Sequence, residues 1–320
     1  MKKNYPLSEH YDGKKFSYPG LDMDKSFLDL LKWQIAATKA KWPQQVINTH
    51  ESNLSSSLNK TDIQITYINH STFLIQTDVI NILTDPVWSE RVSPFKFVGP
   101  KRVRKPGLEF KKLPNIDLVL VSHNHYDHMD IETLKNIYKN NLDAVFIVPL
   151  KNSQYLNFVN PSQIIELDWW QSVNIKQQNI TLTPAQHWSA RGLFDKRNAL
   201  WGSFVVQLNN QRKLFFTGDS GYDQNLFSTI GSKFSPIDLA LIPIGAYEPR
   251  WFMKKAHMNP EEAVLTHCDL NSKQSVAMHF GTFQLTDEDL NQPVVDLNSA
   301  LNKYNVKKFD ILNVGETKIY

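Results

Sequence analysis

The sequence predicts an α/β chain made of two sheets with helices on their outer faces. Three observations point there. From residue 62 onward, short apolar runs of strand length dominate, with turn residues between them. One of them, LVLV, is apolar without a break, as a strand buried on both faces is. Helical segments are scattered between the runs, which suits helices layered outside two sheets.

The chain begins differently. Its first twenty residues are polar, with Pro6, Gly13, Pro19 and Gly20. Residues 24–42 read as an amphipathic helix capped by Asp24. Phe27, Leu30, Leu31, Trp33, Ile35 and Ala36 give it a broad apolar face, and its lysines gather toward the C-terminal end, where they suit the helix dipole. Two readings of this helix stand: packed on a core, or lying in a membrane interface. Residues 50–60 form a Ser/Asn-rich connector.

The strand candidates follow as DIQITYI, TFLIQT, VINILTD, LVLVSH, AVFIVPL, SQIIELD, ITLTPAQH, WGSFVVQL, KLFFTGD, IDLALIPI, SVAMHF and KFDILNVG. Helices are expected in DIETLKNIYKNN, in PEEAVLTHCDL with Pro260 in its first turn, and in PVVDLNSALNKY. No linker breaks the later part. The division is therefore an N-terminal extension over 1–60 and one domain over 61–320.

The 320 residues carry 35 basic and 32 acidic side chains, a net charge of +3. So mixed a surface lacks the dense basic stripe of a dedicated nucleic-acid binder, and no nucleic-acid partner is expected. One local run, Lys101, Arg102, Arg104, Lys105, Lys111 and Lys112, reads either as a solvated loop or as a surface for an anionic partner. The single cysteine, Cys268, rules out a disulfide framework within the chain and reads as structural. The start has no apolar signal core, and no run is long enough to span a membrane. A cytoplasmic location is expected, with peripheral membrane contact open.

The densest chemistry lies in SHNHYDHMD. His123, His125, Asp127 and His128 fall within six residues at the end of an apolar strand. Alternate residues of an extended chain point the same way, so His123 and His125 can face one metal. Asp127 and His128 come where the chain turns into a helix and can face a second. Imidazole with carboxylate suits zinc or a similar divalent cation. Three later strand ends offer single ligands: His187, Asp219 and His279. Gly218 permits a tight turn before Asp219, whose two oxygens can bridge two cations.

HxHxDH followed by a lone His, a lone Asp and a lone His resembles the metallo-β-lactamase superfamily. More particular segments, LTDPVWSERVSP, GPKR, IELDWW, PAQHWSAR, LWGSF, TGDSGY, IPIGAYEPRWFM, HMNPEEAV and HFGTF, are similar to the N-acyl-phosphatidylethanolamine-hydrolysing phospholipase D family over roughly residues 62–320. The resemblance implies an αββα sandwich of two mixed sheets flanked by helices. It implies two divalent metal ions, zinc foremost. His123, His125 and His187 would hold the first, Asp127, His128 and His279 the second, and Asp219 would bridge them. It assigns catalytic roles to Asp127, Asp219 and His257. His257 would contact substrate or protonate the leaving oxygen; it also reads as a surface or cap histidine. Asp85 is expected to steady the ligands from behind, although an aspartate before proline is also a turn residue. His70 is expected near the site without being a ligand.

The implied activity is a phospholipase D-type phosphodiesterase, which hydrolyses N-acylated phosphatidylethanolamine to N-acylethanolamine and phosphatidic acid with water activated at the two metals. A phospholipid substrate is the expected partner, and a homodimer stays open. Trp169, Trp170, Trp188, Trp201 and Trp251 can line an acyl groove or pack the core, and Lys96 and Phe97 are expected to border that groove. Other hydrolases of the same fold, acting on lactones, β-lactams or other phosphodiesters, remain as alternatives.

Overall fold

The computed structural model describes residues 5–22, 27–36, 39–55 and 57–320. Strands β1 (Gln64–Asn69), β2 (Thr72–Gln76), β3 (Asn81–Thr84), β4 (Leu118–Leu120), β5 (Val145–Pro149) and β6 (Ile164–Leu167) share a sheet with the last strand, β14 (Thr317–Ile319). Its order is β14-β1-β2-β3-β4-β5-β6. Strands β7 (Ser172–Ile175), β8 (Gln178–Thr183), β9 (Ser203–Gln207), β10 (Lys213–Phe216), β11 (Leu239–Pro243), β12 (Ser275–Met278) and β13 (Phe309–Asp310) form the second sheet, in the order β13-β12-β11-β10-β9-β8-β7. Each sheet runs antiparallel at its start and parallel later: β3 to β6 in the first and β10 to β13 in the second.

Six helices accompany the sheets among the described residues: α1 (Phe27–Ala36), α2 (Ile131–Asn140), α3 (Gln224–Phe234), α4 (Arg250–Met253), α5 (Pro260–Asp269) and α6 (Gln292–Tyr304). Side-chain alternation sorts the strands' residues between layers. Leu118 and Leu120 of β4 and Leu239 and Leu241 of β11 point into the core between the sheets. Val119 points out, to Leu134 and Ile137 of α2. Ala240 and Ile242 point out to the faces of α3, α5 and α6. Both faces of these strands are buried, which is why their sequences are unbroken apolar runs. The expected αββα sandwich is the fold.

The expected strands all form, and the structure adds two strands, β7 and β14, and two helices, α3 and the single turn α4. Strands β7 and β14 are half-exposed at sheet edges and lack an apolar run. Helix α3 follows an Asp223 cap, but Ser228, Gly231 and Ser232 dilute its signal. The predicted helix over 24–42 is shorter: its cap, Asp24, lies outside the described residues, as do the side chains of Phe27, Leu30 and Ala36. Residues 39–42 are not helical. The Ala40 N–H donates to the Asp287 carbonyl (3.0 Å), Gln284 Nε2 to the Ala40 carbonyl (2.6 Å) and Trp42 Nε1 to the Glu288 carbonyl (2.9 Å). Pro43 also disfavours helix just before it.

Part of the extension belongs to the core. Tyr11 and Phe16 are buried in the cluster between the sheets. Lys151 caps them, its ammonium 4.1 Å from the Tyr11 ring centre and 5.3 Å from that of Phe16. Tyr5 donates to Glu166 (2.8 Å), and His10 meets Asp168 at 2.7 Å while stacking on Trp169. The two acids of IELDWW therefore hold the extension. Phe16→Ala is expected to cost about 3–5 kcal/mol in urea unfolding, as a buried core phenylalanine does; a loss under about 1 kcal/mol would show that the extension is only laid on the surface.

Candidate metal centre

Every expected ligand sits just beyond a strand end. β4 stops at Leu120, and the loop before α2 carries His123, His125, Asp127 and His128. β8, β10 and β12 lead to His187, Asp219 and His279. The turns there are tight. His70, Asp85 and His279 hold φ of 46°, 32° and 61°, and Gly218 holds 62°. A Cβ on Gly218 would lie 2.5 Å from that of Ser122, so only glycine fits between the Asp219 turn and the histidine loop. Left-handed non-glycine residues cost about 1–3 kcal/mol each and persist where their surroundings over-determine them.

The side chains gather in two groups. In one, His125 Nδ1 lies 2.8 Å from His123 Nε2 and 3.2 Å from His187 Nε2. In the other, Asp127 Oδ2 lies 3.5 Å from His128 Nε2 and 3.6 Å from His279 Nε2. Asp219 reaches both. Its Oδ2 is 4.0 Å from His123 Nε2, 3.8 Å from His187 Nε2 and 3.2 Å from His128 Nε2, while Oδ1 is 3.1 Å from His279 Nε2. His128 Nε2 and His279 Nε2 are buried and make no hydrogen bond, although Asp219 oxygens lie 3.2 and 3.1 Å away. Buried polar atoms are nearly always paired. Orphaned imidazole nitrogens converging on carboxylates are the donor set of a divalent transition cation, so these residues fit a metal centre.

A layer behind the ligands aims them. Asp85 Oδ2 accepts from His128 Nδ1 (2.6 Å) and from Ser122 Oγ (2.6 Å), and Ser122 Oγ lies 2.9 Å from His123 Nδ1. One buried carboxylate thus steadies a histidine in each group. His187 Nδ1 donates to the Ala256 carbonyl (2.9 Å). With Nδ1 engaged, Nε2 is presented to the centre. His70 meets Asp127 Oδ2 at 3.1 Å and packs against the His279 ring, so it stands with the second group and can also reach a metal there.

Charge follows burial. Burial drives His123, His125 and His187 below the ordinary histidine value, His125 to about 4. They are neutral at pH 7, the form that ligates. Burial alone would raise Asp127 and Asp219, but the facing His128, joined at Asp219 by His279, outweighs it and holds both well below the usual carboxylate range. In return, Asp219 and Asp127 lift His128, and lift His279 to about 9, against their burial.

The centre floors a cavity of about 490 Å³. His125, Asp127, Asp219 and His257 line it together with the apolar side chains of Trp33, Phe252, Met253 and Leu285. His257 is oriented from behind: Arg250 Nη1 donates to its carbonyl (2.9 Å) while Arg250 Nη2 pairs with Glu262 at 2.7 Å. Its Nδ1 lies 3.8 Å from Asp219 Oδ2.

Several expectations are corrected. Of the basic run, Arg102 alone is buried, and the exposed Lys101, Lys105, Lys111 and Lys112 fit the solvated-loop reading. Arg102 is buried, donating to the Ser89 and Val87 carbonyls over the Phe283 ring, and Lys101 pairs with Glu90. Lys111 and Lys112 pair with Glu109. Of the five tryptophans, Trp188 lines the cavity. Trp169 and Trp201 are core residues, joined in a relay from Trp169 Nε1 to the Trp201 carbonyl and from Trp201 Nε1 to the Ala185 carbonyl, two residues before His187. Trp170 and Trp251 are exposed. Lys96 and Phe97 do not line the cavity; Val92 of the same loop does. Cys268 is exposed on α5 rather than packed. Sequence reasoning missed Ser122, Arg250 and Phe252. All three lie inside quoted segments, SHNHYDHMD and IPIGAYEPRWFM, where the ligands drew the reading away from their neighbours.

An αββα sandwich with a His/Asp centre at its strand ends defines a metal-dependent hydrolase. A model of the beta-lactamase superfamily domain matches residues 80–280, and the chain belongs to the metallo-β-lactamase superfamily. More particularly, it is 34% identical over 316 residues to a Caenorhabditis elegans protein, "N-acyl-phosphatidylethanolamine-hydrolyzing phospholipase D 1", covering 95% of this chain and 84% of that one. An uncharacterised Mycobacterium tuberculosis protein is 37% identical over 290 residues, 89% of this chain and 76% of its own. The solved structure of Igni18, a metallo hydrolase from Ignicoccus hospitalis, shares the fold with a TM-score of 0.60 at 23% identity, covering 81% of this chain and 99% of that one.

Acid is expected to destabilise the metal-stripped protein. Burial holds His70 at about 3 and His125 and His257 at about 4, with His123 and His187 also lowered, whereas unfolded histidines titrate near 6.5. Between those values the unfolded chain binds more protons, so stability falls as pH drops through that window. His128 and His279, raised, add stability as pH falls toward 6.5 and change little below it, so they do not offset this loss. The urea midpoint of chelator-treated protein should be lower at pH 5 than at pH 7; an equal or higher midpoint would contradict these protonation states.

Proposed function

We propose that the chain hydrolyses the phosphodiester of N-acylated phosphatidylethanolamine, releasing N-acylethanolamine and phosphatidic acid, at a centre of two divalent cations, zinc foremost. The carrying observation is one cavity whose lining joins the ligands His125, Asp127 and Asp219 to the apolar side chains of Trp33, Phe252, Met253 and Leu285. That polarity matches a phosphodiester attached to hydrocarbon, and the relative from Caenorhabditis elegans carries that activity in its name.

Bound cations there would supply Lewis acidity toward phosphoryl oxygens and lower the pKa of water. The chain's own groups do the rest. His123, His125 and His187 on one side and Asp127, His128 and His279 on the other are the groups that would hold the ions, with Asp219 between them. His257, fixed by Arg250, faces the same space and is placed to meet a phosphoryl or leaving oxygen. Lys196 and Lys255 add positive charge to the cavity lining, which favours an anionic phosphodiester. No serine or cysteine nucleophile lines the cavity among the described residues.

A membrane surface is the partner this reading calls for. Among the described residues no helix is long and apolar enough to cross a membrane. Leu193 (93% exposed) and Phe194 (91%) stand on the loop that brings Lys196 to the cavity, and Leu28 and Ile35 are exposed on α1, which brings Trp33. Such apolar tips beside cations suit insertion at a lipid interface.

Mass spectrometry of products from metal-replete protein and N-acyl-phosphatidylethanolamine tests the reaction. Matched N-acylethanolamine and phosphatidic acid should appear, and Asp219→Asn should lower the rate by about 100-fold or more, the loss of a centre rather than of one supporting contact. Turnover of a lactone or β-lactam with none of the lipid would overturn the reading. In the same assay, Leu193→Ser with Phe194→Ser should slow turnover on vesicles and spare it in detergent micelles; equal rates on vesicles would remove the membrane surface.

A further inference from the structure

The apolar lining of the cavity is not supplied by the hydrolase domain alone. Trp33 enters from α1, in the N-terminal extension, and lines the same cavity as His125, Asp127, Asp219 and His257. Its ring stacks on Phe252 with 4.9 Å between centres. Its Nε1–H donates to Asp287 Oδ2 at 3.0 Å, which fixes the indole's orientation. The chain beyond α1 is tied to the same loop through Ala40, Gln284 and Trp42. That loop is itself anchored: Glu288 Oε1 accepts from the Ala246 N–H (2.7 Å) and the Thr286 hydroxyl (2.8 Å). Trp33 is therefore a held wall, not a side chain draped across an opening.

We propose that Trp33, paired with Phe252, is the specificity-determining residue that sets which apolar chain the cavity accepts. A hydrocarbon attached to the reacting phosphodiester shares one cavity with these two rings. Rigid aromatic walls gain contact area at little entropic cost, and a pocket of this kind discriminates by the methylenes it covers. The ring supplies the contact, while the indole N–H supplies only the orientation. The extension thus contributes selectivity to a centre made entirely by residues after 61. This inference rests on the lipid phosphodiester reading above, and its test separates the two.

Two measurements on metal-replete protein are needed. In the first, kcat/KM is compared for N-acylated phospholipids of increasing acyl length and for a small soluble phosphodiester without a chain. Trp33→Ala should lower kcat/KM about tenfold for long chains, through KM, and leave the small diester unchanged; Trp33→Phe should keep the long-chain preference. In the second, calorimetry reads binding of N-dodecanoylethanolamine against N-acetylethanolamine. Wild type should prefer the long chain, and Trp33→Ala should lose that preference. An equal loss on every substrate would mark Trp33 as merely structural and overturn the proposal, as would an unchanged chain-length profile. If wild type hydrolyses no N-acylated phospholipid yet binds the long amphiphile through Trp33, the substrate reading falls and the wall stands.

Discussion

One carboxylate, Asp219, faces two sets of imidazoles at once. It is buried, its two oxygens reach His128 and His279 on one side and His123 and His187 on the other, and it is held ionised by the charges around it. An ionised carboxylate at that depth is costly unless paired. The pairing requires ligands from β4, β8, β10 and β12 to arrive at one point, which is possible only if both sheets end there. The sandwich, its tight left-handed turns and the close packing of Gly218 on Ser122 all serve that meeting.

The segments that mark the chain most narrowly supply position rather than ligands. In IELDWW, Glu166 and Asp168 hold the extension, and Trp169 passes support through Trp201 to the Ala185 carbonyl beside His187. In IPIGAYEPRWFM, Arg250 fixes the backbone of His257 and Phe252 builds the apolar wall. The metal groups alone describe a hydrolase of a broad superfamily. The supporting residues decide where a substrate lies against it, so substrate choice is written in side chains that touch no metal.

This arrangement explains what could be read from the chain. The buried strands were legible because both of their faces are apolar, and the ligands because imidazole and carboxylate cluster where such strands stop. Strands β7 and β14 were not, since an edge strand buries too little to leave a pattern. The end of α1 was invisible because hydrogen bonds to Asp287 and Glu288, some 245 residues away in sequence, override local propensity. Ser122 and the cavity role of Trp33 depend on partners that only the fold brings near. Charge counts also do not reveal that Arg102, alone in the basic run, is buried against carbonyls and an aromatic ring.

The central claim is that Asp219 joins two metal positions into one centre. Anomalous diffraction from crystals of metal-replete protein tests it most directly. Two peaks about 3.5–4 Å apart, one against His123, His125 and His187 and one against Asp127, His128 and His279, with Asp219 touching both, are the predicted result. A single peak, or a second one away from Asp219, would contradict it.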